Sequence, residues 1–232
     1  MTAPSIVILT GAGISAESGL GTFRDEGGLW AQHRIEDVAT PEGFARNPQL
    51  VVDFYNARRT QAAEARPNAA HHALSRLQTE HAGPVTLVTQ NVDDLHERGG
   101  SVDVIHMHGA LNSALCSDCD HRWSAPLEMS VGQSCPNCDQ PTARPDIVWF
   151  GEIPYQMDRI ERALLDADIF VAIGTSGNVY PAAGFVQMAR HVGAKTIEMN
   201  LDPGENVGLF DDIRSGKASD TVPAWVAELL AR

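Results

Sequence analysis

The stretch SIVILTGAGISA, residues 5–16, decides the fold class. Its first half, Ser5–Thr10, is a short run of β-branched and other apolar residues, typical of a strand buried in a parallel sheet. Its second half, Gly11–Ala16, has the G-x-G-x-x-G/A pattern, in which glycines allow a tight turn and bring backbone N–H groups close to a pyrophosphate. Alone, the loop is equally compatible with a plain tight turn. The acidic residue expected after a second strand is missing in clean form, because Asp37 does not end a strand.

Similar apolar runs recur along the chain, and helical patterns lie between several of them. Strands that alternate with helices indicate an α/β fold with a parallel, Rossmann-like sheet. The further predicted strands are Val85–Thr89, Val102–Ile105, Ile147–Phe150, Ile169–Ile173 and Thr196–Asn200. The predicted helices are Leu50–Ala65, Ala69–His81, Met157–Asp166, Pro181–His191 and Pro223–Ala231, the last two with proline in the first turn.

Two segments lack this alternation. Residues 25–67 are mostly helical or loop, and residues 112–145 hold all four cysteines. We therefore predict a Rossmann-like nucleotide-binding domain made of residues 1–24, 68–111 and 146–232. The helical insert, 25–67, and the cysteine module, 112–145, would form a smaller domain that faces the nucleotide site.

Composition and charge exclude several classes of protein. The chain of 232 residues is 43% hydrophobic, enough for a real core, and carries a formal net charge of −13. Such an acidic chain disfavours nucleic-acid binding and makes a basic protein or peptide the easier partner. The sequence shows no apolar run long enough for a membrane span and no recognisable signal or transit peptide, so we expect no membrane partner and a cytoplasmic location.

The cysteines form the most specific motif. Cys116-x-x-Cys119 and Cys135-x-x-Cys138 are two close pairs with 15 residues between them. Four thiolates close a tetrahedral zinc site and leave no open position, so the predicted metal is one structural zinc ion. A redox dithiol is the alternative, and it is disfavoured because both pairs lie in a loop-rich segment rather than at a helix N-terminus.

Polar residues follow two of the predicted strands. Gln90, Asn91 and Asp93 come after Val85–Thr89, where α/β sheets bind ligands, although a capped turn explains them equally well. His106 and His108 follow the next run and leave open metal ligation, a structural role or catalysis. An imidazole can take a proton at cellular pH, which is the property that a general base needs.

The glycine loop continues as ESGLGTFR, residues 17–24, and here the sequence resembles the signature of the sirtuin family. That family consists of NAD-consuming protein-lysine deacylases with a zinc module. Its motifs follow in family order from Thr10 to about Ser219. The resemblance therefore implies NAD as a consumed co-substrate, one structural zinc ion, and acylated lysine side chains of proteins as substrates.

The resemblance also implies a role for each motif. His108 would be the general base, and Asn91 the second catalytic residue. The implied NAD-binding residues are Gly11, Ala12, Gly13, Glu17, Thr22, Phe23, Arg24, Trp30, Gln90, Asn91, Val92, Asp93, Gly174, Thr175, Ser176, Asn200, Leu201, Asp202 and Ala218. An extended substrate peptide would pair, by strand addition, with Val148, Trp149, Phe150, Gly151 and Glu152.

One further pair points to a branch of the family. Tyr55 and Arg58 lie three residues apart, so a helix presents them on one face. They match the Tyr-x-x-Arg pair of class III sirtuins, which prefer succinyl-, malonyl- or glutaryl-lysine. A guanidinium binds a carboxylate bidentately and a phenol adds a donor, while Ala39 matches a small residue that leaves room for the acyl chain. A solvated arginine beside a half-buried tyrosine is the alternative. Arg59 is expected to face elsewhere.

The activity implied is removal of succinyl, malonyl and acetyl groups from lysine, with release of nicotinamide and 2′-O-acyl-ADP-ribose. Two other classes stay open. A Rossmann oxidoreductase would use the same glycine loop but would reduce NAD to NADH. A zinc-ribbon interaction module would need neither His108 nor Asn91. ADP-ribosyl transfer is a further side activity that the sequence leaves open.

Overall fold

The computed structural model describes residues 3–21 and 33–231 and shows a mixed α/β fold. In chain order the strands are β1 (Ile6–Thr10), β2 (Val85–Thr89), β3 (Ile105–His106), β4 (Gly109–Cys116), β5 (Arg122–Ser124), β6 (Ala143–Ile147), β7 (Ile169–Ile173), β8 (Lys195–Asn200) and β9 (Asp212–Ser215). The helices are α1 (Ala12–Ala16), α2 (Ile35–Val38), α3 (Pro41–Arg46), α4 (Pro48–Glu64), α5 (Ala69–Glu80), α6 (Leu95–Arg98), α7 (Met157–Leu165), α8 (Phe185–His191) and α9 (Ala218–Leu230).

The main sheet has the order β3-β2-β1-β7-β8-β9, and every pairing in it is parallel. From β1 the chain builds the sheet outward through β2 and β3, then returns to the other side of β1 with β7. The strand order therefore reverses between β1 and β7. Open α/β sheets bind ligands at the carboxyl ends of the strands at such a switch point. The predicted Rossmann-like fold is confirmed.

The central strands of the sheet are buried on both faces because their apolar side chains alternate between two cores. Ile6 and Ile8 point into a core closed by α5 and α9. Val7 and Leu9 point into a second core closed by α7 and α8. Burial of all five residues of β1 explains why this strand reads as a continuous apolar run rather than an alternating one.

Three helices begin at side chains that cap them. Thr40 and Asn47 accept hydrogen bonds from backbone N–H groups at the starts of α3 and α4, each followed by proline at the first position. Asn68 caps α5, and its own N–H donates to Nδ1 of His71, 3.2 Å away. These caps fix the start of α4, the helix that carries Tyr55 and Arg58.

A second sheet is antiparallel and has the order β5-β4-β6. It begins at Gly109, directly after His108, and it carries the cysteine pairs at its far end. Arg59 of α4 is buried and ties the helix to this sheet, because its Nε donates to the carbonyl of Leu111 at 2.6 Å. Arg59 thus lies apart from the predicted acyl-binding face, as expected.

Several predicted elements are wrong in place or extent. The run Ile147–Phe150 is not a strand of the parallel sheet, because β6 ends at Ile147 and pairs antiparallel with β4. The run Val102–Ile105 contributes little, since β3 is only Ile105–His106. Pro223 lies inside α9 rather than in its first turn, and α8 begins at Phe185 after a 3₁₀ turn, not at Pro181. The sequence pattern did not predict β4, β5 or β9.

The predicted division into two domains stays a prediction. The three-stranded sheet extends past both ends of the predicted module 112–145, because β4 begins at Gly109 and β6 ends at Ile147. No helix among the described residues is long and apolar enough to cross a membrane.

Candidate active site

The glycine loop interlocks with the loop after β7. A Cβ on Gly13 would lie 2.7 Å from the Cα of Gly174, and one on Gly11 would lie 2.7 Å from the carbonyl oxygen of Gly174. The N–H of Gly13 already donates to that oxygen, at 2.9 Å. These glycines are therefore required by the close approach of two backbone segments at the switch point. The approach of these glycines to a pyrophosphate stays a prediction.

A second set of contacts ties the glycine loop to the start of α9. Glu17 accepts two hydrogen bonds from Ser219, one from the backbone N–H at 3.0 Å and one from the hydroxyl at 2.9 Å. Although partial burial opposes it, these hydrogen bonds and the charge of Lys217 lower the pKa of Glu17, which stays a carboxylate. At the neighbouring strand end, the Asn200 amide donates to the Thr175 carbonyl at 2.7 Å.

The predicted NAD-binding residues after β2 form a buried polar cluster around Ser15. Asn91 donates from Nδ2 to the Ser15 hydroxyl at 3.0 Å, and that hydroxyl donates to Asp93 at 3.2 Å. Burial raises the pKa of Asp93, opposed by hydrogen bonds from Leu95 and Ser15 and by nearby positive charge. Ser15 was not among the predicted site residues, because a serine inside a glycine loop carries no signal of its own.

Beneath this cluster lies a buried network that the sequence did not reveal. The Thr10 hydroxyl donates to the Thr89 hydroxyl at 2.9 Å, and the Asn91 N–H donates to the same Thr89 oxygen at 3.0 Å. His96 contacts Thr10 through Nε2 at 2.9 Å, and its ring meets that of His71 at 5.0 Å between centroids.

His108 follows β3 and precedes the first residue of β4. Its Nδ1 lies 3.1 Å from the Gln90 carbonyl, which can only accept, so Nδ1 carries the proton and Nε2 keeps its lone pair. Burial lowers the pKa of His108, partly offset by the Gln90 hydrogen bond, so the ring is neutral near pH 7. Gly109 has φ of +82°, and a Cβ there would lie 2.1 Å from the Asp146 carbonyl oxygen. The adjacent β6 backbone thus requires glycine after His108.

The segment 148–152 continues from β6 and lies beside His108. The N–H of Val148 donates to the His108 carbonyl at 2.9 Å, and the N–H of Phe150 donates to the Ala39 carbonyl at 2.9 Å. Phe150 is 48% exposed, whereas Trp149 is buried. The predicted substrate segment is therefore attached on one side to the histidine turn and on the other to the small residue Ala39.

A charged pair inside the fold holds the same segment. Arg144 makes a bidentate ion pair with Glu152, at 2.7 and 2.9 Å, and its guanidinium stacks 3.7 Å from the Trp149 ring centroid. Glu152 also accepts from the Trp149 N–H at 2.8 Å. Arg144 is buried. Its role could not be predicted from sequence, because a charged residue in a short polar run is usually at the surface.

Tyr55 and Arg58 lie on one face of α4, as predicted. Tyr55 is 1% exposed, and the indole N–H of Trp149 donates to its hydroxyl oxygen at 3.1 Å. Burial raises the pKa of Tyr55 to about 12 and lowers the pKa of Arg58. The charge of Arg58 opposes the effect of burial on two groups, since it lowers the pKa of both Tyr55 and Asp93. Arg58 itself is half-buried, and its part in acyl recognition stays a prediction.

The four cysteine sulfurs lie within 4.8 Å of one another. The Cys116 and Cys138 sulfurs are 3.6 Å apart, and those of Cys119 and Cys135 are 3.8 Å apart. A tetrahedral zinc ion with Zn–S bonds of about 2.3 Å requires sulfurs about 3.8 Å apart. The donor set and its spacing therefore fit one structural zinc ion. Both pairs close a similar backbone turn, in which the N–H four residues after the first cysteine donates to the carbonyl of that cysteine: Asp120 to Cys116 and Asp139 to Cys135.

The remaining predicted residues fall into two groups. One group lies at the carboxyl edge of the main sheet: Ala12 in α1, Val92 after β2, Gly174–Ser176 after β7, Asn200–Asp202 at the end of β8, and Ala218 at the start of α9. Gly151 lies elsewhere, in the turn before Glu152. Leu201 is 65% exposed at that edge. Thr22, Phe23, Arg24 and Trp30 lie outside the described residues.

Comparison with known proteins finds a matching family model and relatives that align along the chain. A family model described as the Sir2 family matches residues 11–181. An NAD-dependent protein deacylase of Caulobacter vibrioides is 55% identical over 231 residues, which cover 98% of this chain and 97% of that protein. An NAD-dependent protein deacylase of Escherichia coli O6:H1 is 52% identical over 233 residues, which cover 99% of this chain and 85% of that protein.

Solved structures agree with the fold. A Sir2 homologue in complex with NAD superposes with a TM-score of 0.89 at 38% identity, covering 97% of this chain and 88% of that one. A Sir2 protein in complex with a deacetylated p53 peptide and 3′-O-acetyl ADP ribose superposes with a TM-score of 0.82 at 27% identity, covering 97% of this chain and 94% of that one.

Proposed function

Because this chain belongs to the Sir2 family of NAD-dependent protein deacylases, we propose that it removes succinyl and malonyl groups, besides acetyl groups, from protein lysines. NAD is the co-substrate of this family, and the four-cysteine cluster fits its structural zinc ion. The proposed products are nicotinamide, the free lysine and 2′-O-acyl-ADP-ribose. Related structures hold NAD in one case and a deacetylated peptide in another.

The observation that carries the acyl preference is the place of Arg58. It lies on the same face of α4 as Tyr55, and its charge acts on Asp93 of the polar cluster after β2. Burial lowers the pKa of Arg58, so the guanidinium has lost part of its hydration. A partly desolvated guanidinium gains more from an incoming carboxylate than one in water does. Succinyl and malonyl groups offer such a carboxylate at the far end of the acyl chain, and an acetyl group does not.

The proposed reaction begins with attack of the acyl oxygen on C1′ of the nicotinamide ribose, with release of nicotinamide. Asn91 and Asp93, held by Ser15, are proposed to bind the nicotinamide and its ribose. His108 then takes a proton from a ribose hydroxyl, which attacks the former acyl carbon, and water completes the release of lysine. The neutral ring, with Nδ1 bound to Gln90, leaves Nε2 free for this proton.

Zinc has no part in these steps. With four thiolates it has no open position for a substrate, so its contribution is to the folding of the segment that bears β4 and β5. Arg59 and Asn56 of α4 hydrogen-bond to this segment, which links its order to the helix that carries Tyr55 and Arg58.

The other classes of function are separable by product. An oxidoreductase would convert NAD to NADH, with its absorbance, and would release no nicotinamide. A zinc-ribbon interaction module would consume no NAD. A cytoplasmic location and the lack of nucleic-acid partners stay predictions, and ADP-ribosyl transfer stays an open side activity.

The test compares two peptides of one sequence, succinylated or acetylated at a single lysine, at saturating NAD. Arg58→Met keeps most of the side-chain length and loses the guanidinium. We expect kcat/KM for desuccinylation to fall about 10- to 100-fold more than that for deacetylation, as for loss of a charge-assisted contact of about 1.5–3 kcal/mol. The matched control is Arg66→Met, which removes an exposed arginine just beyond α4. An equal effect of Arg58→Met on both peptides would refute the acyl preference and leave the deacylase activity standing.

A further inference from the structure

The hydrogen bond between Trp149 and Tyr55 has a defined direction. An indole N–H can only donate, so the Tyr55 oxygen is the acceptor in their 3.1 Å contact. Both side chains are almost fully buried, Tyr55 at 1% and Trp149 at 2% exposure. The phenol has one proton of its own, and that proton must point away from the indole. Within residues 3–21 and 33–231, no acceptor for the Tyr55 proton is present.

Tyr55 keeps that proton over the whole physiological range. Burial raises the pKa of its hydroxyl to about 12, although the charge of Arg58 and the bond from Trp149 lower it somewhat. The hydroxyl is therefore a neutral donor beside a guanidinium. Together they offer O–H and N–H donors to one anion, the arrangement that suits a carboxylate.

Trp149 is itself fixed by groups on its other sides. The Arg144 guanidinium lies 3.7 Å from its ring centroid, and Glu152 accepts from its backbone N–H at 2.8 Å. Phe44 packs against the ring at 5.2 Å between centroids. The ion pair to Glu152 holds Arg144 in place, so the indole cannot turn away from Tyr55 without losing its contacts with Arg144 and Phe44.

We propose that the indole N–H of Trp149 orients the Tyr55 hydroxyl toward the acyl carboxylate, which makes Trp149 a positioning residue for selection of the acyl group. Arg144 and Glu152 act through Trp149. The inference rests on the proposed recognition of succinyl and malonyl groups by Tyr55 and Arg58. It adds that the segment proposed to pair with the substrate peptide also sets the acyl selectivity, so one element reads both parts of the substrate.

The test separates the N–H from the bulk of the side chain. Trp149→Phe keeps a flat aromatic ring over Arg144 and loses the donor. Any damage to peptide pairing affects the succinyl and the acetyl peptide alike, so the readout is the ratio of their kcat/KM values. We expect this ratio to fall about 3- to 10-fold, as for loss of one neutral hydrogen bond, mainly through a higher KM for the succinyl peptide. Trp123→Phe, in the zinc-bearing segment, is the control and should leave the ratio unchanged.

A double-mutant cycle decides whether the effect passes through Tyr55. In a Tyr55→Phe background, Trp149→Phe should change the ratio by less than about twofold, because no hydroxyl remains to orient. A ratio unchanged by Trp149→Phe, or a full fall that persists in the Tyr55→Phe background, would overturn the inference. Arg58→Met is measured alongside. If it leaves the ratio unchanged, the proposed acyl preference fails together with this inference; if it lowers the ratio and Trp149→Phe does not, only this inference fails.

Discussion

Acidification from pH 7 to pH 5 is expected to destabilise the fold through His71. The ring is fully buried in α5, and its Nε2 has no hydrogen-bond partner among the described residues. Burial, helped by the charge of His72, lowers the pKa of His71 to about 4. In the unfolded chain the same histidine has a pKa of about 6.5. Between these two values the unfolded state binds a proton that the folded state does not.

The sign and size of the effect follow from that difference. Since the unfolded state binds more protons, the free energy of unfolding falls as the pH drops through 6.5, and the loss levels off below about pH 4. At pH 5 the unfolded histidine is almost fully protonated and the folded one is mostly neutral. The contribution of His71 to the difference between pH 7 and pH 5 is therefore about 2 kcal/mol.

The perturbation that isolates this contribution is His71→Gln. A glutamine at the third position of α5 can accept from the Asn68 N–H in place of Nδ1, so the cap of the helix is kept while the titrating group is lost. His191→Gln removes an exposed histidine at the end of α8 and serves as control. Acid also protonates the zinc thiolates, but it does so in all three proteins and cancels in the comparison.

Urea unfolding followed by circular dichroism, at pH 7 and pH 5 with zinc present, measures the change. We expect wild type and His191→Gln to lose the same stability, and His71→Gln to lose about 2 kcal/mol less. If His71→Gln loses as much as wild type on acidification, the reasoning about the buried neutral histidine is refuted.

Two further predictions concern His108, the proposed general base, and the cysteines. His108→Tyr should nearly abolish deacylation in a folded protein. Because burial lowers the pKa of His108, the kcat/KM of the wild-type protein should stay high as the pH falls to 6.5 and drop only below that pH. Turnover like that of wild type in His108→Tyr would remove the residue from the mechanism. Metal analysis should find one zinc ion per chain. Cys116→Ser should lose the metal and much of the stability of the fold, whereas the neighbouring control Ser117→Ala should lose neither. Zinc-free wild-type protein, or a Cys116→Ser variant as stable as wild type, would contradict the structural site.

The parts of the fold predicted from sequence are those buried on both faces. β1, β2 and β7 consist of apolar residues bounded by turn residues, so their pattern depends on no distant partner. β6 escaped prediction because it contains Arg144 and Asp146. Both side chains are buried because residues elsewhere in the fold pair with their charges: Glu152 with Arg144, and Arg122 with Asp146. β9 escaped because it is an edge strand with alternating exposure and a polar sequence.

The candidate site divides in the same way. The cysteines were predicted because their spacing alone specifies the chemistry, and the structure brings all four sulfurs together. The contacts around Tyr55 were not, since its partner Trp149 lies 94 residues away. Ser15 and His96 likewise acquire meaning only when β1 and β2 meet in the sheet. Sequence motifs identify the groups that do chemistry, and the fold identifies the groups that hold them.

The central claim is that this NAD-dependent deacylase prefers acyl groups that end in a carboxylate. The most direct measurement incubates wild-type protein and NAD with matched succinyl-, malonyl- and acetyl-lysine peptides and follows nicotinamide, free lysine peptide and O-acyl-ADP-ribose by mass spectrometry. We expect equimolar release of all three products, with kcat/KM higher for the succinyl and malonyl peptides than for the acetyl peptide. Turnover of the acetyl peptide alone would contradict it.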